Sequence, residues 1–137
     1  MGVRYSVAVA AASVLLAGTP LPAHHAFSAE FDAKMPVTLT GTVTKIEMVN
    51  PHGWIYIDVK GPDGKVVNWA VETGGPNALA RRGVKKDFLP IGREVIVTGY
   101  RAKDMSFTAA GDNVKFPDGR SFSVGGSAGE GFPGAKQ

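Results

Sequence analysis

GWIYIDVKGPDGKVVNWAVET, residues 53–73, decides the fold. Two runs of alternating apolar and polar residues flank Gly-Pro-Asp-Gly-Lys, which is the composition of a hairpin turn. The pairing register follows from burial. Setting Val59 against Val67, Ile57 against Trp69 and Ile55 against Val71 gathers the large apolar residues on one face. The opposite face then carries Trp54, Tyr56, Asp58, Asn68, Ala70 and Glu72. A slip of one residue mixes the two sets, because side chains alternate with a period of two. One face of the hairpin is therefore core, and the other is an aromatic and polar surface.

The same period runs through the flanking sequence. VTLTGTVTKIEMV, 37–49, alternates Val37, Leu39, Gly41 and Val43 against threonines, and then the apolar set moves to Ile46 and Met48. A strand changes faces in this way through a bulge or bend, placed here near Thr44–Lys45. Long first strands that coil to join both sides of a barrel have this pattern. GREVIVTGYRA, 92–102, reads as a fourth strand, and GDNVKF with RSFSV, hinged on Pro117-Asp118-Gly119, as a fifth that folds back on itself. GGPNALARRG, 74–83, is the one helix, with Pro76 in its first turn, arginines near its end and Gly83 as its stop. The expected architecture is mainly β: a small five-stranded OB-fold-like barrel, β-β-β-α-β-β, with one short helix. An SH3-like barrel or an open meander competes with it.

The N-terminus reads as an export signal. Arg4 precedes an uninterrupted small-apolar run, Val7 to Ala17, and GTPLPA ends in a small residue. The run is about half of the ~20 residues a membrane-spanning helix needs, so stable insertion is not expected. Cleavage is expected after Ala23, with Leu21 at −3, which makes residues 1–23 a signal peptide and places the protein in the periplasm or outside the cell. Residues 24–124 then form a single domain with an N-terminal arm, and the glycine-rich 125–137 a disordered tail. With no cysteine in the chain, no disulfide supports the core. The formal charge of +3 is small and scattered. RRGVKK, 81–86, is the only basic cluster and reads as a solvated helix end, so nucleic acid is not an expected partner.

HHAFSAEFD, VTLTGTVTKIE, NPHGWIYIDV, NWAVE, PNAL with RRG, and GREVIVTGYRAKD together resemble a family of small exported bacterial proteins of unknown function. The resemblance spans His24 to Val124. Its most distinctive pieces are the paired histidines and Asn50-Pro51-His52. Met48 stands where many members carry an aromatic residue. The resemblance implies export and a small β-rich fold, and it implies no activity.

Chemistry centres on three histidines, His24, His25 and His52. Cleavage after Ala23 makes His24 terminal, so its amine and its imidazole Nδ1 are available to one metal. A second imidazole completes a nitrogen set suited to copper, which the Irving–Williams order favours over zinc. His25 can act instead through the amide that joins it to His24. The terminal amine, with a pKa of ~7.7–8.0, gives up its proton near neutrality. No Cys-x-x-Cys or His-Glu-x-x-His signature supports a standard zinc site. His52 lies in the connection between the first two strands, where a histidine that only hydrogen-bonds backbone is the simpler reading. Residues 25–36 span up to ~40 Å when extended, enough to run back along the barrel to His52. Phe27 and Phe31 are the anchors for such a path.

The second candidate is the outward hairpin face, with Trp54, Tyr56, Asn68 and Glu72 as ligand-binding residues. OB barrels hold ligands on strands two and three. The polar groups here are acidic or neutral, which suits a carbohydrate or a partner protein better than single-stranded nucleic acid. The simpler reading has the helix or the N-terminal arm covering these aromatics as a second small core. Enzyme chemistry is poorly supported. Asp58 and Glu72 are the best carboxylate pair, two rungs apart, and the Gly-x-Ser-x-Gly match GGSAG, 125–129, falls in the glycine-rich tail without the strand and helix that make an elbow. GPDGK is a hairpin turn without the helix that a phosphate loop requires. The sequence thus points to an exported binding module that takes copper through the histidine pair, with a metal-independent OB-type module for a carbohydrate or partner protein as the alternative.

Overall fold

The computed structural model describes residues 24–85 and 87–125, with side chains from Phe27 onward. The elements in chain order are α1 (His24–Glu30), β1 (Phe31–Met48), β2 (His52–Lys60), β3 (Val66–Gly74), α2 (Pro76–Arg81), β4 (Glu94–Ala102), β5 (Thr108–Lys115) and β6 (Ser121–Ser123). The strands follow the order β3-β2-β1-β4-β5-β6, and an additional pairing of β3 with β5 closes the first five into a ring. That closing pair is parallel, and the other pairings are antiparallel.

The β2–β3 hairpin has the register that burial dictates. Val59 faces Val67, Ile57 faces Trp69 and Ile55 faces Val71. Ile55, Ile57 and Val71 have no exposed surface. On β1 the register shifts between Val43 and Lys45, where the apolar pattern changes phase. Gly41 and Thr42 pair with β2 on one side and β4 on the other, so the coiled first strand joins both halves of the ring. Gly41 is needed for that crossing, since a Cβ there would lie 2.4 Å from the carbonyl oxygen of Asp58.

Three features correct the expected architecture. Among the described residues there are six strands and two helices rather than five and one. The last hairpin contributes two strands, β5 and β6, with Asn113 to Lys115 paired to Ser121 to Ser123. The N-terminal arm is helical over His24–Glu30 and leads directly into β1, which starts at Phe31 rather than at Val37. Phe27 and Phe31, one helical turn apart, explain the helix: Phe27 packs 5.7 Å from Phe31 and edge-on at 5.8 Å to Tyr100. The strand β5 likewise begins at Thr108, earlier than Gly111, because Thr108 to Ala110 are recruited to pair with Ala70 to Glu72 of β3.

Inside the ring lies a core that includes Val43, Ile55, Ile57, Val71, Val95, Val97, Val114 and Phe116. The helix α2 contributes Leu79 to it. Pro76 opens that helix, and Gly83 beyond its end takes φ +77°, a conformation that favours glycine. A second, smaller cluster lies outside the ring: Phe27, Phe31, Ala102 and Ala110, with Tyr100 against them. Among the described residues, no helix is long and apolar enough to cross a membrane. The expected signal peptide, 1–23, lies outside the described residues, as does the tail from 126 onward.

Candidate functional site

The outer face of the ring around β2 and β3 divides into two parts. One is a closed polar network. The Tyr56 hydroxyl donates to Glu47 Oε2 at 2.9 Å, and Lys45 Nζ lies 2.5 Å from Glu47 Oε1 and over the Tyr56 ring. Glu47 is held below the usual glutamate pKa, first by the Lys45 ammonium and then by the Tyr56 hydroxyl. Tyr56 is raised in turn, chiefly because its proton is shared with Glu47. Beside this group, Asn68 Nδ2 donates to Asp58 Oδ1 at 2.8 Å and to Thr44 Oγ1 at 3.1 Å. Tyr56 and Asn68, two of the expected ligand-binding residues, are thus each engaged within this face, Tyr56 with Glu47 and Asn68 with Asp58 and Thr44.

The other part is a histidine–carboxylate pair. His52 is the first residue of β2, and its Nδ1 meets Oε1 of Glu72 on β3. The connection before it, Asn50-Pro51, has a cis peptide bond. Residues 52 and 72 share the outer face because each is an even number of positions from Trp54 or its rung partner. Trp54 pairs with Glu72 on one side and with Glu47 on the other, so it stands between the two parts. The Glu72 side chain is 15 % exposed, and that of His52 is 40 % exposed.

The pair sits next to the place where α1 lies. Glu72 is rung partner to Ala110 of β5, and Ala110 is rung partner to Tyr100 of β4. Ala110 and Tyr100 are also the residues against which Phe27 of α1 packs. Neighbouring strands lie ~4.8 Å apart, so the row Tyr100–Ala110–Glu72 spans about 10 Å. His24 and His25 open α1, three and two residues before Phe27. Their side chains lie outside the described residues. The second small core excludes Trp54 and Tyr56, contrary to the simpler reading of those aromatics.

Sequence reasoning named His52 and Glu72 separately and missed that they meet. The signal was available: the hairpin register places Trp54 against Glu72, and His52 follows on the same face two residues earlier. It also missed Glu47 and Thr44, whose outward direction depends on the bulge between Val43 and Lys45. Asp58 and Glu72 remain apart, each with its own partner. Among the described residues no group of three or more His, Asp or Glu could hold a metal ion.

Comparison with other proteins adds the lineage. No curated protein and no solved structure matches the chain. The model of a family of unknown function, DUF6152, matches residues 10–111, from within the N-terminal apolar run to β5. That match covers most of the chain, and the protein belongs to this family.

Proposed function

We propose that the protein is an exported copper-binding module on an OB-like barrel, with His24 and His25 as the principal ligands and His52 as the third. The observation that carries this reading is the position of His52. Glu72 engages its Nδ1, which fixes the ring and leaves Nε2 for a metal, the arrangement by which a carboxylate supports a metal-binding imidazole. The helix that begins at His24 packs one strand away from Glu72, through Ala110. A second support lies in α1 itself. With cleavage after Ala23, the amide joining His24 to His25 would fall in the first turn of the chain, where a backbone N–H has no intrahelical acceptor and is not committed to a helix ladder. The barrel reading is supported by the closed order of pairings and by a first strand paired on both sides.

The test uses protein processed from its own leader, with intact mass establishing the first residue. Cu(II) titration followed by electron paramagnetic resonance is expected to show one tight site with nitrogen ligation. His24→Ala and a single glycine added before His24 each abolish it, and His52→Ala weakens it. Processing at any other residue, or indifference to the added glycine, overturns the proposal. Trp54 quenching by a glycan or partner protein, unaffected by these changes, would instead favour the strand 2–3 face.

A further inference from the structure

A cleft of about 340 Å³ opens on a different part of the molecule, between the segment that follows α2 and the β5–β6 hairpin. None of its lining residues belongs to β2 or β3. Its apolar wall is Phe88 and Phe122, packed edge to face at 5.4 Å, with Phe116 behind Phe122 at 5.7 Å. Lys85, Arg93 and Arg120 line the same cleft, and Asp87 is the one carboxylate among the described lining residues.

The walls are held by their own turns. Phe88 N–H donates to the carbonyl of Lys85 at 3.0 Å, and Phe116 N–H donates to the carbonyl of Arg120 at 2.8 Å. The Arg120 guanidinium lies 4.8 Å from the Phe116 ring centre, and its Nε donates to Asp118 Oδ2 at 2.9 Å. Both Arg120 and Arg93 contribute to holding Asp118 below the usual aspartate range, the Arg120 backbone and side-chain hydrogen bonds first, so the two arginines share one patch. The volume falls in the range of small-molecule sites, which are lined by aromatic groups with a few convergent polar ones.

Charge decides the ligand class. Among the described lining residues Lys85, Arg93 and Arg120 outnumber the carboxylate of Asp87, and Asp118 offsets Arg120 from outside, which leaves a net positive lining suited to an anion of low charge. The aromatic wall suits a flat apolar body. We propose that this cleft binds a small organic monoanion with a planar apolar body, an aromatic carboxylate being the simplest member.

The probe is 2-naphthoate, titrated into the full processed chain and followed by amide chemical shifts, with neutral 2-naphthamide as the control. Saturable shifts confined to the amides around Gly83, Phe88 and Phe122 are expected. The amide control is expected to bind at least about tenfold more weakly, as is 2-naphthoate to the double variant Lys85→Gln, Arg93→Gln. Asp87→Asn is expected to tighten binding. The substituted side chains are exposed, and the spectrum of each variant reports whether it is folded. No saturation, shifts centred elsewhere, equal binding of the neutral analogue, or a folded double variant that binds like the parent overturns the proposal.

Discussion

Phe27→Ala tests the link between α1 and the rest of the molecule. Phe27 is 8 % exposed and is the buried residue among the described side chains of α1. Burying a phenylalanine contributes roughly 1.5–3 kcal/mol. Its two ring contacts, with Phe31 and Tyr100, add about 1 kcal/mol beyond area. Lys103 also ties α1, donating from its backbone to the Glu30 carbonyl and from Nζ to the Ser28 carbonyl. Removing the ring thus costs the docked helix about 3 kcal/mol, which multiplies its detached fraction by about a hundred. The main core does not include Phe27, so the ring of strands stays folded.

Two measurements follow this. Amide hydrogen exchange in α1 is expected to accelerate by about two orders of magnitude while that of β2 and β3 stays at the parent rate. Copper titration is expected to keep the terminal chelate and lose the contribution of His52. Unchanged exchange in α1 would show that something other than Phe27 seats the helix. Accelerated exchange together with an unaltered copper spectrum would separate His52 from the amino-terminal ligands and refute the three-histidine reading.

Further expectations follow from single contacts. Glu72→Gln removes the carboxylate that fixes the His52 ring and is expected to lower copper affinity by roughly 10–100-fold with no loss of fold, measured by competition with a chelator. Gly41→Ala forces a Cβ to within 2.4 Å of the Asp58 carbonyl, and the resulting backbone shift is expected to cost about 3 kcal/mol and lower the melting midpoint by roughly 10–20 °C. Glu47 is expected to titrate below the usual glutamate range in a carboxyl carbon-13 experiment, with Lys45→Ala and Tyr56→Phe each moving it back up. Because its folded pKa is depressed, the contribution of Glu47 to stability is present above its unfolded pKa and is lost as pH falls through the folded one.

The parts of the fold that were legible in the sequence are those where one strand carries its own signal. Ile55, Ile57, Trp69 and Val71 constrain the hairpin register because a slip of one residue would put Trp69 and Val71 on the opposite face from Ile55 and Ile57. The phase change from Val43 to Ile46 marks the bulge. The parallel closure of β3 on β5 was not legible, because Thr108-Ala109-Ala110 has neither the alternation nor the bulk of a strand. Those small residues become strand by being pulled against Ala70 to Glu72. The helix α1 was hidden for a different reason. Seven residues carry too little periodicity to identify a helix, and its stability comes from Phe27 reaching across to Tyr100. The His52–Glu72 pair was within reach of the hairpin register, which sets Glu72 against Trp54 with His52 on the same face, but the Glu47–Tyr56 contact was not, because it depends on the bulge that turns Glu47 outward.

The register of β3 ties stability to the site. Trp69, Val71 and Thr73 point into the ring, while Asn68, Ala70 and Glu72 point out of it. A slip of one residue against β2 would turn Glu72 inward, among Ile55, Ile57 and Val97, and leave an unpaired carboxylate at a cost of at least several kcal/mol. It would also part Glu72 from His52. The selection that packs Ile55 against Val71 therefore places the carboxylate against the imidazole as well, with no separate device needed to orient it. Core substitutions that loosen this hairpin should then disturb the His52–Glu72 pair before they unfold the chain, whereas an equal loss of stability at Phe116, just past the far end of β5 from Ala110, should leave that pair in place.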